Sequence, residues 1–186
     1  MKTLTFLLLV FWLPLFSSGH KDSGKLPKKE IPEVQKLDRT PKLYKSENMY
    51  FCGQPNLETI EWLKTQGVDL IVNLRSEEEN DDFAESSFNE KDIVAKLEIK
   101  YISIPIDGYD SYTTENLAKF ADALNQSYHN VLIHCGSGGR VTNFMMAYLV
   151  DYKDYPLADA IEFGKQLSFK FPLEYLLKED IVWNTK

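Results

Sequence analysis

"VLIHCGSGGRVTNF", Val131 to Phe144, decides how the rest of the chain is read. An apolar run ends in His-Cys, small residues follow, then an arginine, then a stretch with helical pattern. A strand, a glycine-rich turn and a helix start together make an anion site before any side chain is considered. The backbone N–H groups of Gly136, Ser137, Gly138, Gly139 and Arg140 can all turn inward, since none is proline. The glycines tolerate the positive φ values that such a nest needs. The helix opening near Arg140 adds roughly half a positive charge at its N-terminus. A thiol in such a field ionises more readily, and the thiolate is the nucleophilic form. Cys135 is therefore the candidate nucleophile. Arg140, with its planar fork of donors, is the candidate clamp for two oxygens of an anion. The plainer alternative is a core cysteine beside a structural glycine turn.

Working outward, short β-rich runs alternate with helical patterns from Asn48 onward. "NMYFC" (48–52), "DLIVNL" (69–74), "KYISIP" (100–105) and "NVLIHC" (130–135) read as strands. Asn56 can cap a helix with Leu57, Ile60 and Leu63 on its apolar face and Gly67 as its stop. Thr113 or Thr114 caps another, with Leu117, Phe120, Ala121 and Leu124 at helical spacing. A helix follows Arg140, a further one runs from Pro156 to about Phe169, and Pro172 opens a last one. The acidic stretch 75–92 reads as a surface loop, its charges a solvated face, leading into a helix near 90–97. Strands alternating with helices predict an α/β domain: a mostly parallel sheet of four to five strands with helices on both faces. In such sheets ligands sit beyond the carboxyl ends of the strands. Three loops gather there, after Leu74, after Pro105 and after His134.

The expected organisation is a signal peptide over 1–19, a flexible linker or loosely docked arm over 20–45, and one domain over 46–186. Lys2, an apolar run from Leu4 to Phe16 and the small residues Ser17-Ser18-Gly19 fit a secretory signal. That run is well short of the roughly 20 residues needed to span a bilayer. Export to the periplasm or outside is therefore expected, with no stable membrane insertion after cleavage. A net charge of −7 and a pI near 5.0 argue against a nucleic-acid partner, which needs clustered positive charge. The two cysteines, Cys52 and Cys135, leave a disulfide open. His134 either steadies Cys135 through the loop backbone or is simply a satisfied strand-end histidine. It lacks the partners of a zinc site, so neither metal nor cofactor is expected.

At "HCGSGGR" the residues resemble the signature loop of the cysteine-based phosphatases. The wider pattern, in "MYFCGQPNLETIEWLKTQGVDLIVNLRSEEE" (49–79), "KYISIPIDGY" (100–109) and "VLIHCGSGGRV" (131–141), resembles the phosphatase-like domain of the beta-lactamase-hydrolase-like proteins, a branch related to dual-specificity phosphatases. The resemblance implies a tyrosine-phosphatase-like fold, Cys135 as nucleophile and Arg140 as phosphate clamp. Two features depart from the superfamily. Such loops usually hold five residues between cysteine and arginine, and here there are four, although the resembling branch tolerates the shorter spacing. Val141 stands where a serine or threonine usually helps the thiolate leave, and Thr142 is one step late. A missing residue removes up to about 3.5 Å of chain and one donor. A lost oxyanion donor typically costs about 10²–10³ in rate, which predicts a poorer phosphatase and not a dead one.

Phosphoryl transfer needs a proton for the leaving oxygen. "SIPIDGYDSY" offers Asp107 first and Asp110 second as general acid. Turns are rich in Asp-Gly for other reasons too. Arg75 either helps hold an anion or pairs with Glu77 or Glu78. Three functions stay open at this point. One is an exported phosphatase acting on a phosphorylated small molecule or phosphoprotein. The second is a sulfurtransferase working through a Cys135 persulfide, because the rhodanese loop shares this spacing. The third is a phosphate-binding module without catalysis.

Overall fold

The computed structural model describes residues 29–167, apart from 40 and 127. The expected signal peptide, residues 20–28 of the linker and the helix opened by Pro172 lie outside the described residues. Six strands form one sheet in the order β1-β2-β3-β6-β4-β5. The strands are β1 (Gln35–Leu37), β2 (Leu43–Ser46), β3 (Met49–Cys52), β4 (Val68–Asn73), β5 (Lys100–Ser103) and β6 (Asn130–His134). β3, β6, β4 and β5 run parallel, and β1 and β2 add an antiparallel edge. The helices are α1 (Leu57–Thr65), α2 (Glu77–Ser86), α3 (Glu90–Lys96), α4 (Thr114–Leu124), α5 (Gly139–Asp151) and α6 (Leu157–Leu167).

Strand alternation sorts the core into two layers. Phe51, Val72, Val131 and Ile133 face a cluster built with Leu117, Phe120, Phe144 and Phe163, from α4, α5 and α6. Tyr50, Cys52, Ile71 and Leu132 face the other cluster, with Ile60 and Leu63 of α1 and Val94 of α3. Helices therefore cover both faces, as the alternating pattern predicts. Asn56 caps α1 by accepting from Thr59 N, and Thr113 caps α4 by accepting from Asn116 N. Gly67, at φ 77°, turns the chain out of α1 in the left-handed region. No helix among the described residues is long and apolar enough to cross a membrane.

Two expectations need correcting. The arm over 20–45 is in part ordered sheet: Gln35–Leu37 pairs with Leu43–Ser46, which in turn pairs with β3. Leu43 is fully buried, and that single anchor, with β3's open edge beside it, outweighs the polar composition around it. The sheet thus has six strands in place of four to five. The acidic stretch after Arg75 is not a loop but the helix α2. Ser76 and Glu79 close a capping box on it, with Glu79 N donating to Ser76 Oγ at 3.1 Å and Ser76 N donating to Glu79 Oε2 at 2.8 Å. Three glutamates in its first turn complement the helix dipole.

Candidate active site

The loop after β6 runs from Cys135, fully buried, over the exposed crest at Ser137 to Arg140 in the first turn of α5. Gly138 caps α5 at φ 92°, a conformation open to glycine at little cost. That turn points its N–H at the thiol: Gly138 N lies 3.0 Å from Cys135 Sγ. The first hydrogen bond of α5 in the i→i−4 pattern comes from Thr142 N to Gly138 O, at 3.1 Å. The N–H groups of Gly139, Arg140 and Val141 therefore lie in the unpaired first turn, where an anion is favoured. On the outside, Gln54 N donates to Gly136 O at 3.0 Å and Leu74 N to His134 O at 2.9 Å. A Cβ on Gly53 would stand 2.8 Å from Gly136 O, so the wall beside the loop must be glycine.

Arg140 is held from the far side. Its Nη1 and Nη2 each donate to Glu79 at 2.6 Å, and Nη1 also donates to Ile106 O at 2.9 Å. Of the five N–H donors on a guanidinium, these use three. The other two, Nε–H and one Nη2 hydrogen, share one edge of the fork, and the guanidinium also engages the Cys135 sulfur. The arginine pair holds the Glu79 carboxyl down at about 2, with the Ser76 N–H adding to the effect and partial burial opposing it. Burial pulls the Arg140 ionisation down, but Glu79 and Cys135 together raise it above its ordinary value. The guanidinium therefore stays charged beside the sulfur.

His134 is buried, with Nε2 2.8 Å from Glu90 Oε1. Burial pushes the Glu90 carboxyl up, but His134 and Gln54 bring it below its ordinary value. Arg75 neither pairs with Glu77 or Glu78 nor reaches the cup. It is buried, donates from Nη1 to Gln54 Oε1 at 2.6 Å and from Nη2 to Glu79 O, and lies over the Phe83 ring. Thr142 Oγ1 donates to Gly138 O at 3.0 Å, so its hydroxyl braces the loop backbone, while Val141 is buried in the core. The cysteines are free and buried, and they belong to opposite core layers. Cys52 is in register with His134, so alternation aims it away from Cys135. Burial, reinforced by Glu90 and Cys135, raises the Cys52 thiol well above its ordinary value, which marks it as an inert core residue.

Asp107 and Asp110 are both exposed, on the loop after β5. Ser111 Oγ ties that loop together, accepting from Asp107 N at 3.0 Å and donating to Asp107 O at 2.8 Å. A cavity of about 250 Å³ lies between this loop and the cup, walled by Ile106, Gly108, Tyr109, Tyr112, Ser137 and Arg140. Glu79, Gln54 and Glu90 were not among the residues picked out from sequence. For Glu79 a signal existed: Ser76-x-x-Glu79 spells a capping box, which fixes a carboxylate at the end of β4.

Residues 27–163 match the family described as DSP-PTPase phosphatase fused to NAD+ kinase. The chain belongs to this family. The family's description marks a dual-specificity-like branch of the cysteine phosphatases. The chain is 28% identical over 101 residues to the probable chloroplastic NAD kinase 2 of Oryza sativa subsp. japonica, a match over 54% of this chain and 10% of that protein. The chain thus spans only a small part of that relative. Among solved structures it resembles TpbA of P. aeruginosa in complex with phosphotyrosine (TM-score 0.55, 19% identity, 78% of this chain and 83% of that one). It also resembles PTPMT1 (TM-score 0.57, 21% identity, 71% and 88%). A third is the catalytic core of the PP-IP phosphatase SIW14 of S. cerevisiae (TM-score 0.52, 18% identity, 65% and 72%). At these identities the structural likeness speaks to the fold, which is that of the tyrosine phosphatases.

Proposed function

We propose that this chain hydrolyses a phosphomonoester through a phosphocysteine on Cys135. The observation that carries the reading is the donor set around one sulfur: Gly138 N–H at 3.0 Å and a guanidinium locked beside it by Glu79. In the first step Cys135 Sγ, as thiolate, attacks phosphorus; an S–P bond forms and the bond to the leaving oxygen breaks. Asp107 or Asp110 gives that oxygen a proton. The loop amides and the edge of Arg140 turned away from Glu79 carry the charge on the equatorial oxygens. In the second step water attacks phosphorus and yields a proton to the same carboxylate, and the S–P bond breaks to return the thiolate and release phosphate.

The second step is the slower one. The hydroxyl of Thr142 is engaged with Gly138 O, and the sulfur accepts from the Gly138 amide and meets the Arg140 guanidinium. The substrate is a phosphorylated small molecule or a phosphoprotein. Tyr109 and Tyr112, in the cavity wall, suit a flat ring next to the phosphate. The phosphotyrosine held by TpbA is compatible with that shape.

Turnover of an aryl phosphate, measured beside thiosulfate-to-cyanide transfer on one preparation, tests the reading. Phosphate release is expected, abolished by Cys135→Ser, with no thiocyanate formed. Thiocyanate production without phosphate release would move the assignment to a persulfide sulfurtransferase. Phosphate binding without either product would leave only a binding module.

We also propose export, on the strength of the apolar run and small residues within 1–19. N-terminal sequencing of the protein recovered outside the cytoplasm should begin at His20. An intact Met1 in the mature chain would overturn this.

A further inference from the structure

Besides its bond to the neighbouring Pro55 O, Gln54 reaches three partners from distant parts of the chain. Its main-chain N–H donates to Gly136 O, the outward carbonyl of the cup, at 3.0 Å. Its side-chain Oε1 accepts from Arg75 Nη1 at 2.6 Å, and its Nε2 donates to Glu90 Oε2 at 2.9 Å. Beyond Glu90 lies His134, the residue before Cys135. Beyond Arg75 lies Glu79, whose carboxylate holds Arg140. One amide thus joins the two side-chain pairs that bracket the loop, one at its root and one at its end.

We propose that Gln54 is a positioning residue, coupling the His134–Glu90 and Arg140–Glu79 pairs so that the cup stays shaped for an oxyanion. An amide accepts from a guanidinium and donates to a carboxylate at the same time, without bringing a charge of its own. A carboxylate in its place would oppose Glu90. An aliphatic side chain would take away the partner of Arg75 Nη1 and of Glu90 Oε2 in a buried setting. The neighbouring Gly53 serves the same end, since its missing Cβ is what lets the chain approach Gly136 O closely enough for the main-chain bond. The sequence 53–54 therefore acts as a bracket. It meets the Arg75 that ends "NLR", so two short motifs far apart in the chain converge on one hydrogen bond.

The proposal rests on the phosphatase reading only in taking the cup's task to be oxyanion binding, and its test reads that task without turnover. Iodoacetate and iodoacetamide alkylation of Cys135, followed on its peptide by mass spectrometry, reports whether the cup still favours an anion over a neutral reagent. Aryl-phosphate turnover is measured in parallel. The wild type should prefer iodoacetate and be protected by tungstate. Gln54→Glu should lose the preference and fall about 10–100-fold in kcat/KM, the range for residues that orient a reacting group from behind. The double variant Q54E/E90Q reverses the string: Arg75 donates to the introduced carboxylate, the introduced amide donates to that carboxylate, and its oxygen faces His134. Net charge and the contacts at Arg75, position 90 and His134 are conserved, and only the bond to Pro55 O is lost, so the alkylation preference and most of the activity should return.

If Gln54→Glu does not fold, the double variant carries the test alone. A folded Gln54→Glu with wild-type preference and kcat/KM overturns the proposal. So does a double variant that fails to fold or to recover. A wild type that shows the alkylation pattern, and loses it in Gln54→Glu, but releases no phosphate from any ester would sink the phosphatase reading and leave the positioning role standing.

Discussion

The loop after β6 and the loop after β5 face each other across one cavity and are held in opposite ways. The first is gripped on every side. Gly136 O is bonded by Gln54, His134 O by Leu74, the sulfur by Gly138, and Arg140 by Glu79 and Ile106. The second leaves its two carboxylates exposed, braced mainly by Ser111 and by Asn116 Nδ2 on Ser111 O. Charge stabilisation needs donors fixed before the reaction, because reorganising them costs rate. Proton delivery needs only a group that can reach the leaving oxygen once substrate is bound. On the mechanism proposed above, the difference sets the nucleophile and anion site in the tightly bonded loop and the acid on the exposed rim.

The comparison breaks most openly at the rim. If either aspartate is the acid, Asp107→Asn or Asp110→Asn should lower kcat for an alkyl phosphate by about 10²–10⁴. The same change should leave an activated nitrophenyl ester nearly untouched, since that leaving group needs no proton. Only one of the two should show the split, visible in kcat against leaving-group pKa. Equal losses on both substrates would mean that the aspartate shapes the cavity and is not the acid.

Within the scaffold, Arg140→Lys keeps the charge and removes the fork. One ammonium cannot replace three committed hydrogen bonds and a bidentate edge. A fall of about 10²–10³ in kcat/KM is expected. The drop should come with weaker inhibition by inorganic phosphate, measured as Ki on the same preparation. Unchanged phosphate inhibition would place the arginine outside the anion site.

Glu79→Gln should cost less, about 10–100-fold, because the guanidinium remains but loses its bidentate partner. It also carries a pH signature. The Glu79 carboxyl is depressed from 4.5 to about 2, so the folded state binds its proton more weakly than the unfolded chain. The pair's contribution is then fully present above about 4.5 and is lost as pH falls towards 2. In wild type, acid unfolding should gain a component in that window that Glu79→Gln lacks. Matching acid-unfolding curves for the two proteins would contradict the pair.

How much of this was legible follows the same division. Residues whose role is local were readable: "VLIHC" as a buried strand, the loop glycines as a positive-φ turn that the structure narrows to Gly138, Arg140 on the first helical turn, Asn56 as a cap, and Thr113 as the one of the Thr113–Thr114 pair that caps α4. Glu79 was half-legible, since its capping box is local but its partner is 61 positions away. Gln54 and Glu90 were not readable at all, because their meaning depends on β3, β4 and β6 lying side by side. The β1–β2 edge hid for a related reason. A polar stretch with one buried leucine has no periodicity of its own, and pairing to β3 supplies the order. From sequence Arg75 stays open between an anion ligand and a partner of Glu77 or Glu78, because its bonds to Gln54 and Glu79 O and its place over Phe83 depend on the folded neighbourhood.

The smallest effects separate the loop's wall from the rest of the core with one substitution at two places. A Cβ on Gly53 would meet a main-chain oxygen, Gly136 O, at 2.8 Å, and the backbone of the cup must yield to admit it. A Cβ on Gly164 would meet Met146 Sδ at 2.1 Å, where α6 packs on α5, and only a buried side chain must repack. Both changes overpack, at a cost of about 1–3 kcal/mol each. Gly164→Ala should therefore lower Tm and leave kcat/KM alone. Gly53→Ala should lower Tm by a comparable amount and also reduce kcat/KM several-fold, because the displaced oxygen belongs to the residue following Cys135. Two variants matched in stability but not in activity would tie the loop's geometry, and not global stability, to function. Equal activity in both would mean that the cup tolerates movement of its wall, and the rigid half of the comparison would fall.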